Sequence, residues 1–131
     1  MPESAFAERL AKWMLDFQPG DIPEDLRNDA RYRVLDVLGN IIAGSREPLG
    51  QAMISAAPAL GAGDEARLLP SGMPVPGATA ALINGTLGHA LDYDDTHNAT
   101  LVHPSVPVVV TALALGPRVG LSGDNLLAAV V

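Results

Sequence analysis

Six apolar side chains at helical spacing, Leu26, Ala30, Val34, Val37, Leu38 and Ile41, constrain the fold of this chain more than any other feature. Residues three or four apart share one face of an α-helix, so the row reads as one long buried stripe. Pro23 stands where a missing N–H costs nothing, and Glu24 and Asp25 lie at the positive end of the helix dipole. Gly44 is placed as a C-terminal cap. A helix this apolar on one side needs other elements to cover it.

The flanking sequence supplies them. Ser4 to Phe17 carries Phe6, Leu10, Trp13, Met14 and Phe17 at the same spacing, and Pro19-Gly20 stops it. Gln51 to Leu60 reads as a short helix weakened by Pro58, and Ala66 to Leu69 as a brief strand or extended link. Pro70, Gly72, Pro74, Pro76 and Gly77 make a loop. Ala78 to Leu91 reads as a buried helix whose Gly85 and Gly88 allow another backbone to come close. Asp92 to Val102 reads as a loop, and Pro104 opens a helix to about Leu115 that Gly116-Pro117 ends. Ser122 caps a last helix with Asp124 in its first turn. The expected class is all-α, a bundle-like array of helices.

Composition narrows what such an array does. The 131 residues suit one domain, which at this size buries roughly two thirds of its unfolded surface. Aromatics are only 4%, so the core rests on small aliphatic contacts. A net charge of -7 disfavours nucleic acid as a partner. With no cysteine, disulfides, thiolate metal sites and a cysteine nucleophile are excluded. The opening residues Met1-Pro2-Glu3-Ser4 lack a secretory signal, and no run approaches the about 20 apolar residues of a membrane span. A soluble cytoplasmic protein is the expectation. The final residues, Leu126 to Val131, are apolar with no polar tail, so the sequence is expected to be cut within an element.

The reactive side chains concentrate in one stretch. His89-Ala90-Leu91-Asp92-Tyr93-Asp94-Asp95-Thr96-His97 is followed by His103-Pro104-Ser105, and all three histidines lie there. Imidazole beside carboxylate is the material of proton transfer. Three bland readings stand next to that one: aspartates at a helix–loop junction cap and turn the chain, His89 among Ala and Leu is a satisfied core histidine, and His103 before Pro104 caps the next helix. Metal binding is a further alternative. Asp92-Tyr93-Asp94-Asp95-Thr96 also fits the D-x-D-x-T pattern of magnesium-dependent phosphohydrolases. That pattern needs a buried strand before it, and Asn84 to Leu91 is poor strand material.

The run from Ala81 to His97, with His103-Pro104-Ser105, resembles the signature of the MmgE/PrpD family. Val34 to Gly39, Ala43-Gly44-Ser45 and Ser122 to Ala129 resemble flanking helices of that family in the same order. The resemblance implies the opening part of a large helical domain, with the rest of it and a mixed α/β lid domain beyond this chain. It implies cofactor-free acid–base chemistry, without metal, on a small di- or tricarboxylate: dehydration of 2-methylcitrate foremost, decarboxylation of cis-aconitate or epimerisation of iminodisuccinate otherwise. It implies a homodimer. Carried over, Asp92, Thr96 and His103 are the catalytic positions: His103 transfers the proton or contacts a carboxylate, Asp92 orients its partners, and Thr96 donates to a substrate carboxylate. His97 beside them is a candidate substrate-binding residue. A lysine, a further histidine and a tyrosine of the family site lie outside the chain, so these 131 residues alone are expected to be inactive. A non-enzymatic alternative is a short helical oligomerisation module.

Overall fold

The computed structural model describes residues 5–131 and consists of six α-helices with one small hairpin. The helices are α1 (Phe6–Asp16), α2 (Glu24–Gly44), α3 (Pro48–Ala56), α4 (Gly77–His89), α5 (Ser105–Val119) and α6 (Gly123–Val130). Two short antiparallel strands, β1 (Ala66–Arg67) and β2 (Pro74–Val75), pair Ala66 with Val75 between α3 and α4. The all-α expectation holds. The Ser4 start proposed for the first helix lies outside the described residues.

Helix α4 is the centre of the array, packed by α2, α3 and α5. Thr79, Ala80, Ile83, Asn84, Leu87 and Gly88 are all buried on it. Val37 and Ile41 of α2 and Val106, Val109, Val110 and Ala114 of α5 complete the core, with Leu68 and Val75 from the hairpin. Small residues let these backbones approach closely. A Cβ built on Gly88 lies 3.1 Å from a methyl of Val106.

Gly44 has a different role from the one expected. It is the last residue of α2 and does not take the left-handed conformation of a glycine cap. Instead it is packed against the end of α4, where a Cβ would overlap the Leu87 carbonyl oxygen and lie 3.2 Å from the Ala90 Cβ. The left-handed cap occurs at Gly120, which ends α5 at φ 64°. That helix therefore runs past Gly116-Pro117. Proline removes one backbone hydrogen bond, a loss tolerated in the last turn before the Gly120 stop.

Proline also moves α3. It begins at Pro48, whose fixed φ suits a first helical position, and Pro58 converts its end into a 3-10 turn over Ala57–Leu60. The loop before α4 is stapled by a buried amide. The Asn84 side chain accepts from Leu69 N (2.9 Å) and donates to the Arg67 carbonyl (3.0 Å).

Two apolar stripes are less covered than their spacing implies. Leu26 is exposed on α2, and no residue of α1 is buried. Trp13 and Phe17 stack on each other, with ring centroids 5.2 Å apart. No helix among the described residues is long and apolar enough to cross a membrane.

Candidate functional site

The site is built where α4 ends and α5 begins. His89 is the last residue of α4. The chain turns out of the helix with Asp92 N bonded to the His89 carbonyl (3.0 Å), and Asp92 adopts φ 55°. Few non-glycine residues enter this left-handed region, and aspartate is one that tolerates it. The turn aims Asp92 outward, with its side chain 77% exposed, and carries Asp94 inward, with its side chain 1% exposed.

Asp94 lies between two imidazoles. Its Oδ1 is 2.9 Å from His89 Nδ1, and its Oδ2 is 3.5 Å from His103 Nδ1. The two rings meet edge to face with centroids 5.0 Å apart. On the outer side, His103 Nε2 is 3.8 Å from Asp92 Oδ1. The order in space is thus His89, Asp94, His103, Asp92, from helix end to solvent.

Asp95 belongs to a separate, structural network. It accepts from Ser105 N (3.1 Å) and Ser105 Oγ (2.7 Å), so its carboxylate caps the N-terminus of α5. Arg33 of α2 reaches the same carboxylate at 2.6 Å and also holds Asp29 at 2.6 Å. The hydrogen bond to Asp29 holds the Arg33 guanidinium above its ordinary value, helped by the charges of Asp29 and Asp95 and opposed by partial burial. A base raised in this way keeps its stabilising charge until the pH passes that raised value, so Arg33 pins α2 to the start of α5 at every ordinary assay pH.

The residues expected to carry chemistry divide accordingly. Asp92 and His103 are brought together. Thr96 is exposed in the loop that follows. His97 turns the chain: its N–H bonds to the Val102 carbonyl (2.8 Å), its carbonyl accepts from Thr100 and Leu101, and its Nδ1 lies 2.8 Å from Thr100 Oγ1. His97 is not among the residues that converge on Asp94. His89 is corrected: its side chain is 55% exposed at a helix end and not a core histidine. Asp94 was missed as an individual, because period and spacing do not say which of three neighbouring aspartates points inward.

His89, Asp92, Asp94 and His103 offer ligand atoms within 4.8 Å of one another, the donor types that would hold a divalent ion. Among the described residues this is the cluster of that kind. Beside His89 opens an apolar groove of about 620 Å³, lined also by Gly85, Thr86, Val106 and Val110. Its apolar lining suits a hydrophobic surface better than a carboxylate. The phosphohydrolase reading fails on the backbone, since the segment before Asp92 is helix α4 and not a strand.

The helical array gathers two histidines and two aspartates at one helix–loop–helix junction. The chain belongs to the MmgE/PrpD family: residues 8–131 match the MmgE/PrpD N-terminal domain. Among curated proteins it is 26% identical over 124 residues to the cis-aconitate decarboxylase-like protein oryM of Aspergillus oryzae, covering 95% of this chain and 26% of that protein. It is also 26% identical over 135 residues to the cis-aconitate decarboxylase of Aspergillus terreus, covering 98% of this chain and 28% of that protein. The chain thus spans about a quarter of the length of these relatives. No solved structure matches it.

Proposed function

We propose that this chain supplies the acid–base part of an enzyme site acting on a small di- or tricarboxylate, by proton transfer at a carbon next to a carboxylate. The observation that carries the reading is the placement of His103, whose Nε2 lies 3.8 Å from Asp92 Oδ1 on the solvent side of a buried carboxylate. His103 Nε2 is the atom that gives or takes the proton. Asp92, exposed beside it, orients the imidazole and favours its protonated form through charge. Thr96 donates its hydroxyl to a substrate carboxylate, and His97 frames the loop on which Thr96 is carried.

A polycarboxylate also needs cations. Lys12 is the only lysine, and Arg33, which reaches Asp95 next in sequence to Asp94, is committed to Asp29 and Asp95. The groups that neutralise substrate and enolate-like charge therefore come from outside these residues, and the 131-residue chain alone is inactive. Family membership supports an enzyme over an oligomerisation module.

The relatives named as cis-aconitate decarboxylases make cis-aconitate the first substrate to test, with 2-methylcitrate and iminodisuccinate beside it. The complete protein carrying this sequence is incubated with each in the presence of chelator, and products are identified by NMR. Chelator-resistant conversion of one of them supports the reading. Absence of conversion of all three sinks it.

A further inference from the structure

Asp94 is the one group of the cluster that substrate cannot reach, and it holds both imidazoles. Its side chain is 1% exposed. Its Oδ1 is bonded to His89 Nδ1. Its Oδ2 and His103 Nδ1 are both buried with no other hydrogen-bond partner, and they face each other at 3.5 Å. That gap is short for a bridging water, whose two bonds of about 2.8 Å at a near-tetrahedral angle span about 4.4 Å. Leaving both atoms unpaired costs about 1–3 kcal/mol for each, and hydrogen bonds at reactive sites often shorten when substrate binds. A hydrogen bond from His103 Nδ1–H to Asp94 Oδ2, reached by a small closure of this contact, would satisfy both atoms.

From this geometry, and resting on the acid–base reading of His103, we propose that Asp94 is a positioning residue that fixes the tautomers of both His89 and His103. An ionised carboxylate is acceptor-only, so each of its oxygens selects the Nδ1–H form of the ring it faces. Both Nε2 atoms are then presented outward as acceptors. For His103 this leaves the Nε2 lone pair free to take a proton from substrate, and the Asp92 carboxylate 3.8 Å away favours the imidazolium that forms. His89 buttresses the arrangement by occupying the other carboxylate oxygen, which keeps Asp94 from rotating away from His103.

The isosteric variant Asp94→Asn is a sharp probe. An amide offers one acceptor and one donor where the carboxylate offers two acceptors. It cannot satisfy two Nδ1–H groups at once, and His103, at 3.5 Å against 2.9 Å for His89, has the weaker contact and is the ring that changes tautomer. The experiment records ¹⁵N shifts of the histidine side chains in the complete protein, with His89 and His103 assigned by single substitution. It pairs these with steady-state kinetics on the substrate that the wild type converts. The expected result is Nδ1–H at both histidines in the wild type. In Asp94→Asn, His103 loses that form and kcat falls about 10²–10⁴-fold, the range of a mispositioned acid–base group, while KM changes less than about threefold.

An Nε2–H tautomer of His103 in the wild type overturns the proposal, and this spectrum needs no variant to fold. A variant in which His103 changes tautomer and kcat is kept also overturns it. If no carboxylate is converted by the wild type, the acid–base reading fails, while the spectra still decide the tautomers.

Discussion

The close approach of α2 and α4 makes a prediction that one pair of substitutions can test. Gly39 and Gly44 lie five residues apart in the same helix. Around a Cβ added at Gly39 there is nothing within 4 Å, whereas at Gly44 it overlaps the Leu87 carbonyl oxygen and lies 3.0 Å from the Leu87 carbonyl carbon. Alanine in place of a helical glycine gains about 0.5–1 kcal/mol, because the unfolded chain loses freedom. Gly39→Ala should show that gain undiminished. At Gly44 the obstacle is helix backbone and not a flexible side chain, so α4 must shift, and overpacking of this kind costs about 3 kcal/mol, the upper part of its range. Net of the propensity gain, Gly44→Ala should destabilise by about 2 kcal/mol. The two variants should thus differ by about 3 kcal/mol with opposite signs. Urea unfolding of the complete protein, compared at constant m value, reads this directly. A Gly44→Ala protein as stable as wild type, or two variants shifted in the same direction, would refute the packing described for α2 and α4.

Three further outcomes follow from named contacts. Asn84→Ala removes both partners of the loop before α4, and urea unfolding should show a loss of about 1–3 kcal/mol for each backbone group left unpaired. Asp95→Ala should cost about 1–2 kcal/mol through loss of the α5 cap, visible as a lower melting temperature, while kcat per folded molecule stays near wild type. Asp92→Asn should leave the unfolding free energy within about 0.5 kcal/mol of wild type, because the side chain is exposed and asparagine tolerates the same backbone, yet it should lower kcat at least tenfold.

Much of this fold was legible in the sequence because its signals are local. The stripe from Ala30 to Ile41 and the Ser122 cap, which accepts from Asn125 N at 3.2 Å, depend on neighbours in sequence. What stayed hidden depends on distant contacts. Gly44 reads as a cap until α4 is seen against it, and Asn84 gives no sign that it staples a loop 15 residues away. The stripe of α1 shows the converse: spacing predicts a helix but does not say what covers it. In the candidate site, the stretch from His89 to His103 stands out by composition, because it holds all three histidines and three aspartates. The division of labour among Asp92, Asp94 and Asp95 does not follow from the sequence, because it is set by a left-handed turn at Asp92 that sends successive carboxylates outward, inward and onto α5.

In the proposed reaction His103 moves the proton. Its most direct test is single-turnover conversion of cis-aconitate, or whichever carboxylate the wild type accepts, by the complete protein with His103→Gln. Glutamine keeps hydrogen-bonding capacity but cannot exchange a proton at neutral pH. Substrate should still bind and the chemical step should slow by at least about 10²-fold, with the melting temperature unchanged. A chemical step as fast as that of the wild type would contradict it and leave His103 as a structural companion of Asp94.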